Sequence, residues 1–128
     1  VVRQGKDVTV IASLMCVHFA LEVAEKMAKE GISVEVIDVR TLVPLDKATV
    51  LESVRKTGRA VVAHEAVKFC GWGSEISSII MEEAFEYLDA PVARVGAKYC
   101  PIPYAKELED EALPSVADIE QAIRRVLS

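Results

Sequence analysis

The sequence predicts an α/β fold: a three-layer α/β/α domain around a mostly parallel sheet. Two observations carry this expectation. Four short runs rich in Val, Ile and Ala alternate with four segments of helical period. Strand–helix–strand repeated along a chain builds a parallel sheet with helices on both faces, joined by right-handed crossovers. The length, 128 residues, is that of one ordinary domain. At 52% hydrophobic but only 5% aromatic, the chain carries ample material for a mainly aliphatic core.

The first run is "DVTVIA" (7–12), with Gly5 as a turn signal before it. A helical stripe follows, formed by Val17, Ala20, Leu21, Ala24, Met27 and Ala28 and closed by Gly31 in the helix-terminating position. The second run, "ISVEVIDV" (32–39), sets Val34, Val36 and Asp38 on one face and Glu35, Ile37 and Val39 on the other. Asp46, just after Pro44, is the expected N-cap of a helix that turns Val50, Leu51 and Val54 inward and ends at Arg55, Lys56 and Gly58. The third run is "AVVAH" (60–64). Ser74 is the expected N-cap of the next helix, whose apolar positions are Ile76, Ile79, Ile80, Ala84, Tyr87 and Leu88, before Pro91. The fourth run is "VARVG" (92–96). Residues 96–115 read as the one long irregular connection, kept from helix by three prolines and in water by Glu107, Glu109, Asp110 and Glu111. The last helix opens with a capping box, Ser115 and Asp118, and buries Ile119, Ala122, Ile123, Val126 and Leu127. Residues 1–128 show no internal repeat, low-complexity tract or second domain. Starting mid-flow without an initiator methionine, they read as a piece of a longer protein.

Charge and cysteine usage narrow the function classes. Twenty acids against fifteen Lys and Arg leave a net charge of −5, which argues against nucleic acid as a partner and suits a basic protein better. Cys16, Cys70 and Cys100 have no CxxC spacing. Neither a disulfide framework nor a zinc site reads from them, and thiols in a reducing, cytoplasmic setting are the expectation. No apolar run approaches the roughly 18 residues of a membrane span, and no signal peptide is legible.

In an open parallel sheet, ligands meet the carboxyl ends of the strands. Here those ends are Ser13-Leu14, Arg40-Thr41, His64-Glu65 and Gly96 to Lys98. His64 and Glu65 have the chemistry of an acid–base pair, but strand neighbours point to opposite faces, so the plainer expectation is a hydrogen-bonding or interface histidine. Cys70 with His64, or Cys16 with His18, would make thiol–imidazole dyads; no other feature supports either, and inert cysteines are expected. "GWGSE" (71–75) lacks the third glycine of a dinucleotide fingerprint and the G-K-[ST] of a P-loop. It reads as a tight strand-to-helix turn, with Trp72 as a contact residue. Glu82, Glu83, Glu86 and Asp89 read as a solvated face, or as a docking patch for a basic domain.

Taken in order, "GKDVTVIA", "VHFALEVAEKMAKEGISVEVIDVRTLVPLD", "ESVRKTGRAVVAHEA", "GWGSEISSIIMEEAFEYLDAPVARV" and "PIPYAKELEDEALPSVADIEQAI" resemble the C-terminal domain of transketolase-type thiamine-diphosphate enzymes. The resemblance is strongest to the β subunit of the decarboxylating first component of 2-oxo acid dehydrogenase complexes (pyruvate, branched-chain and acetoin types). It covers almost the full chain. It implies a short antiparallel edge strand, Val1 to Arg3, which makes the sheet one of about five strands. It also implies that thiamine diphosphate and magnesium serve the complete enzyme and are not bound by this domain alone, since the glycine-aspartate-glycine cofactor motif and the activating glutamate lie elsewhere. No residue here is then catalytic, cofactor-binding or metal-ligating. The implied partners are the α subunit, a second β subunit, and the subunit-binding domain of the dihydrolipoyl acyltransferase core; neither nucleic acid nor membrane is among them. Docking of that core falls by similarity on Asp89, with Glu86 beside it, and the turn of His64, Glu65 and Trp72 faces neighbouring domains. Cys70 departs from the family pattern, which has glycine there in many members. A receiver-like signalling module would need an acidic cluster after the first strand and an aspartate ending the third; "IASLM" and "VAHEA" supply neither. A standalone Cys/His hydrolase, or a domain of another transketolase-family enzyme, are the remaining alternatives.

Overall fold

The computed structural model describes all 128 residues. The elements in order are β1 (Val8–Ala12), α1 (Met15–Ala28), β2 (Val34–Asp38), α2 (Lys47–Thr57), β3 (Ala60–Val67), α3 (Trp72–Ala84), a 3-10 turn (Phe85–Tyr87), β4 (Ala93–Ala97), α4 (Lys106–Ala112) and α5 (Val116–Leu127). The sheet order is β2-β1-β3-β4, every pairing parallel. The expected antiparallel edge strand shrinks to one bridge, Arg3 to Val36, so the sheet has four strands and a bridge. The chain leaves the edge at Gly5, whose N–H donates to the Glu35 carboxylate (3.1 Å) and ends the pairing.

Strand alternation sends side chains to two cores. Val8, Val10, Val34, Val36, Val61 and Val95 face α1 and α5, where Val23, Met27, Ile119 and Ile123 meet them. Ile11, Ile37, Ala60 and Val62 face α2 and α3, against Val50, Leu51, Val54, Ile76 and Ile80. Thr9 shares that second face, and its hydroxyl is satisfied by the Ser53 carbonyl (3.2 Å) and the Thr57 hydroxyl (2.8 Å). Fully burying one such aliphatic side chain stabilises by about 1.5–3 kcal/mol. The two-sided aliphatic core is what lets a domain so poor in aromatics hold together.

Several expected boundaries move. Residues 96–115 are not wholly irregular: α4 occupies Lys106–Ala112. The prolines at 101, 103 and 114 bracket this stretch instead of interrupting it, and Lys106 pairs with Asp110 one turn on (2.6 Å). Ser74 does not cap α3. Gly71 holds the N-cap position without a side-chain bond, and Ser74 lies inside the first turn, where its hydroxyl accepts from Arg94. The same helix stops at Ala84, leaving Tyr87 exposed beyond it. On α1, Cys16 and Val23 are buried and Ala28 is exposed, rotating the stripe from its expected position. Asp46 and the Ser115–Asp118 box cap α2 and α5 as expected, and Gly31 and Gly58 take the left-handed backbone that closes their helices.

Candidate functional site

β3 runs on past residue 64 to Val67, with a register shift against β4 between Ala63 and Val67. His64 lies within that irregular interval and is 1% exposed. Its Nδ1–H donates to the Ala66 carbonyl (2.9 Å), which leaves Nε2 as a buried lone pair without a partner. Three glycines enclose the ring. A Cβ on Gly71 would lie 2.7 Å from Cε1, one on Gly73 2.7 Å from Nε2, and one on Gly96 3.0 Å from Cε1. The half-buried Trp72 packs over the imidazole at 4.8 Å between centroids. Gly73 is therefore demanded by the histidine beneath it, and Gly71 by that ring together with the Val67 carbonyl, which its Cβ would run into. Burial holds the His64 pKa below its usual value, the nearby Arg94 charge acting the same way, so the ring is neutral near pH 7. His64 reaches no surface, and its part in the turn is internal.

Around this plug the turn is braced from β4. Arg94 donates to the Ser74 hydroxyl and to the Lys68 carbonyl (3.3 Å). Phe69 stacks edge-on with Tyr99 at 5.2 Å, joining the loops that follow β3 and β4. Cys70 is exposed and holds φ +54°, the left-handed region that favours glycine. Cys16 is buried, and its thiol is pushed up to about 12 by burial and by the Glu65 carboxylate, so it is not a nucleophile at neutral pH. The half-buried Glu65 alternates with His64 along β3 and so points to the opposite face of the sheet.

At the opposite end of the sheet, Asp89 follows the 3-10 turn and lies against the end of α2. Its N–H donates to the Gly58 carbonyl (2.8 Å), and its carboxylate pairs with Arg59 (3.1 Å). Arg59 is thus a local partner for this acid. A Cβ on Gly58 would come within 2.7 Å of the Asp89 carboxylate. The pair remains accessible, with the Asp89 side chain 58% exposed. Of the neighbouring acids, Glu83 pairs with Lys47 (2.7 Å), while Glu82 and Glu86 are exposed without an ion pair. Arg59 and Arg94, which complete the two clusters, carry no signal of their roles in the sequence, since both contacts cross long stretches of chain.

The carboxyl ends of the strands present apolar surface. Leu14 and Met15 follow β1, Leu42 and Val43 follow β2, Phe69 follows β3, and Tyr99, Ile102 and Tyr104 follow β4; all are exposed. No three His, Cys, Asp or Glu side chains converge to hold a metal.

The family model for the transketolase C-terminal domain matches residues 1–119. The chain is 46% identical over 126 residues to the pyruvate dehydrogenase E1 component subunit beta of Rickettsia conorii, and 50% identical over 123 residues to the mitochondrial subunit beta-1 of Arabidopsis thaliana. These alignments cover 98% and 96% of the chain but 39% and 34% of the relatives, so the chain spans little more than a third of their length. Among solved structures it superposes on a split-gene transketolase in an inactive β4 tetramer with a TM-score of 0.85 and 31% identity, covering 99% of this chain and 40% of that one. A 2-oxoglutarate:ferredoxin oxidoreductase from Magnetococcus marinus shares the fold at a TM-score of 0.63 and 15% identity, with coverage of 98% and 18%.

Proposed function

This chain belongs to the transketolase C-terminal domain family, and we propose that it is the assembly domain of a β subunit in the first component of a 2-oxo acid dehydrogenase complex. The observation that carries this reading is identity of 46–50% to pyruvate dehydrogenase E1 β subunits across nearly the whole chain. The complete enzyme would decarboxylate pyruvate, or cleave acetoin, with thiamine diphosphate and magnesium held outside this segment, and pass the acyl group to lipoyl arms. Within that enzyme the domain positions and docks. The exposed apolar residues that follow the strands suit contacts with the α subunit and a second β subunit, since contiguous apolar surface marks interfaces. Asp89 and Glu86 are the residues proposed to meet the acyltransferase's subunit-binding domain. An arginine of a basic partner would take Asp89 in competition with Arg59.

The test uses the complete β subunit assembled with its α subunit. Asp89→Lys is expected to weaken acyltransferase binding at least about tenfold by surface plasmon resonance, because losing one member of a desolvated charge pair costs about 2–5 kcal/mol. Pyruvate-dependent reduction of an artificial electron acceptor should survive the change. Unchanged docking removes Asp89 from the site. An assembled wild-type enzyme that neither decarboxylates pyruvate nor cleaves acetoin overturns the reading itself.

A further inference from the structure

The sheet order leaves β4 with β3 on one side and no strand on the other. A groove of about 710 Å³ runs along that open edge, between β4 and α5, with Ala93, Val95 and Val126 among its apolar lining. Three cations line it as well: Lys68, Arg94 and Arg125. Its one carboxylate, Asp118, is already engaged by the Ser115 N–H (2.8 Å) and hydroxyl (2.6 Å) in the capping box. Eight of the fifteen Lys and Arg residues make ion pairs, and none of these three is among them. Arg94 is instead held in place by neutral oxygens, those of Ser74 and Lys68. On a chain of net charge −5, a groove with three cations free of carboxylate partners is an unbalanced site.

The backbone adds direction to this charge. The Ala97 carbonyl accepts from Lys68 N–H on the β3 side (3.0 Å). Strand alternation then turns the peptide groups of Gly96 and Arg94 toward the open edge. An unpaired edge is a template for another extended chain, and the bonds it offers are to main chain. Edge carbonyls can pair with the amides of another main chain but not with phosphate oxygens, and the acidic molecule as a whole repels a polyanion.

We propose that the β4 edge is a docking site for an extended acidic segment of a partner protein. The segment adds as a strand beside β4, with its carboxylates meeting Lys68, Arg94 and Arg125. This inference stands on the groove alone and does not depend on the enzyme reading.

The probe is a fluorescent glutamate-rich peptide of about six residues, the length of an ordinary strand, with carboxylates on both of its faces. It is titrated into the complete subunit at low salt and followed by anisotropy. Saturable binding is expected, with Arg125→Glu weakening it at least about tenfold. Lys68→Glu, also at an exposed position, should weaken it in the same direction. N-methylation of alternate peptide amides should cause a comparable loss, and a lysine-rich counterpart should not bind. The proposal is overturned by absence of saturable binding, by unchanged affinity in Arg125→Glu, or by an N-methylated peptide that binds as well as its parent. A single-stranded oligonucleotide that outcompetes the peptide would also overturn it, making the groove a polyanion site.

Discussion

A methyl group added at Gly73 would lie 2.7 Å from His64 Nε2, with the ring pinned on its other side by the Ala66 carbonyl. Gly73→Ala is therefore expected to destabilise by about 1–3 kcal/mol, the usual cost of overpacking a filled site. Urea denaturation of the complete subunit checks it. In a His64→Ala background the same substitution should cost far less, because the obstructing ring is gone and the two positions are directly coupled. Equal costs in both backgrounds would show that Gly73 is needed for another reason. The neutral ring also sets a pH dependence. Unfolded, the imidazole titrates near 6.5; folded, burial lowers that value. Below about pH 6.5 the unfolded chain binds a proton that the fold refuses, so His64's contribution is complete above that pH and is lost as pH falls through the folded pKa. His64→Gln should flatten the stability profile below pH 6.5, and a profile identical to wild type would remove His64 as its source.

At the scale of the element, α5 shows local and tertiary terms acting together. Its capping box satisfies the first turn, Ser115 Oγ accepting from Asp118 N–H while the Asp118 carboxylate accepts in return. Ile119 and Ile123 are fully buried on the core face. Arg124, on the outer side, grips Glu30 in the turn after α1 (2.9 Å) and Glu120 of its own helix (2.8 Å). Ser115→Ala should cost about 1 kcal/mol, and Ile123→Ala about 2–5 kcal/mol through the cavity it leaves between helix and sheet. Arg124→Ala should cost under about 1 kcal/mol, since exposed ion pairs contribute little. Thermal unfolding of the three variants tests this order, and an Arg124 variant as damaging as Ile123→Ala would reverse it. α4 is the contrasting case. Seven residues, with only Ala112 buried, give it no apolar stripe to read, so its helicity rests on local spacing between prolines.

Across the whole molecule the two ends of the sheet differ in what they expose. The amino end buries an acid: Glu35 is fully buried, and its carboxylate is bonded by Lys56 and by Gly5 N–H. Burial pushes that carboxyl up, but the bonds from Lys56 and from Gly5 N–H, with the Lys56 charge, outweigh it, so it stays ionised. The carboxyl end leaves large apolar side chains in solvent, Val43 at 92% and Tyr99 at 81% exposed. Leu14, the N-cap of α1, is held there at φ +50° and is itself exposed. Because these side chains support no core, Leu14→Asp combined with Tyr99→Asp should leave the subunit's unfolding midpoint nearly unchanged. In the assembled enzyme the same pair should weaken subunit association, read by sedimentation velocity. Intact assembly would show that the apolar end faces solvent in the native enzyme.

The elements were legible in the amino-acid order wherever a periodic apolar pattern met a punctuating residue. Asp46, Gly58, Ser115 and Asp118 are such residues, and the helices they bound fall where expected. The parallel, doubly covered sheet followed from the alternation of Val-rich runs with those helices. Local spacing could not reveal contacts between residues far apart in sequence. The third strand's continuation past His64, the enclosure of that ring by Gly71, Gly73 and Gly96, and the pairing of Arg59 with Asp89 all join separate segments. Ser74 illustrates the limit: its composition and position promised a cap, but Arg94 from the neighbouring strand claimed its hydroxyl. Periodicity and capping act within a few residues of one another, so the sequence alone determined the elements and the fold class. Which side chains meet, and which edge of the sheet stays open, is decided only when strands distant in the chain are brought side by side.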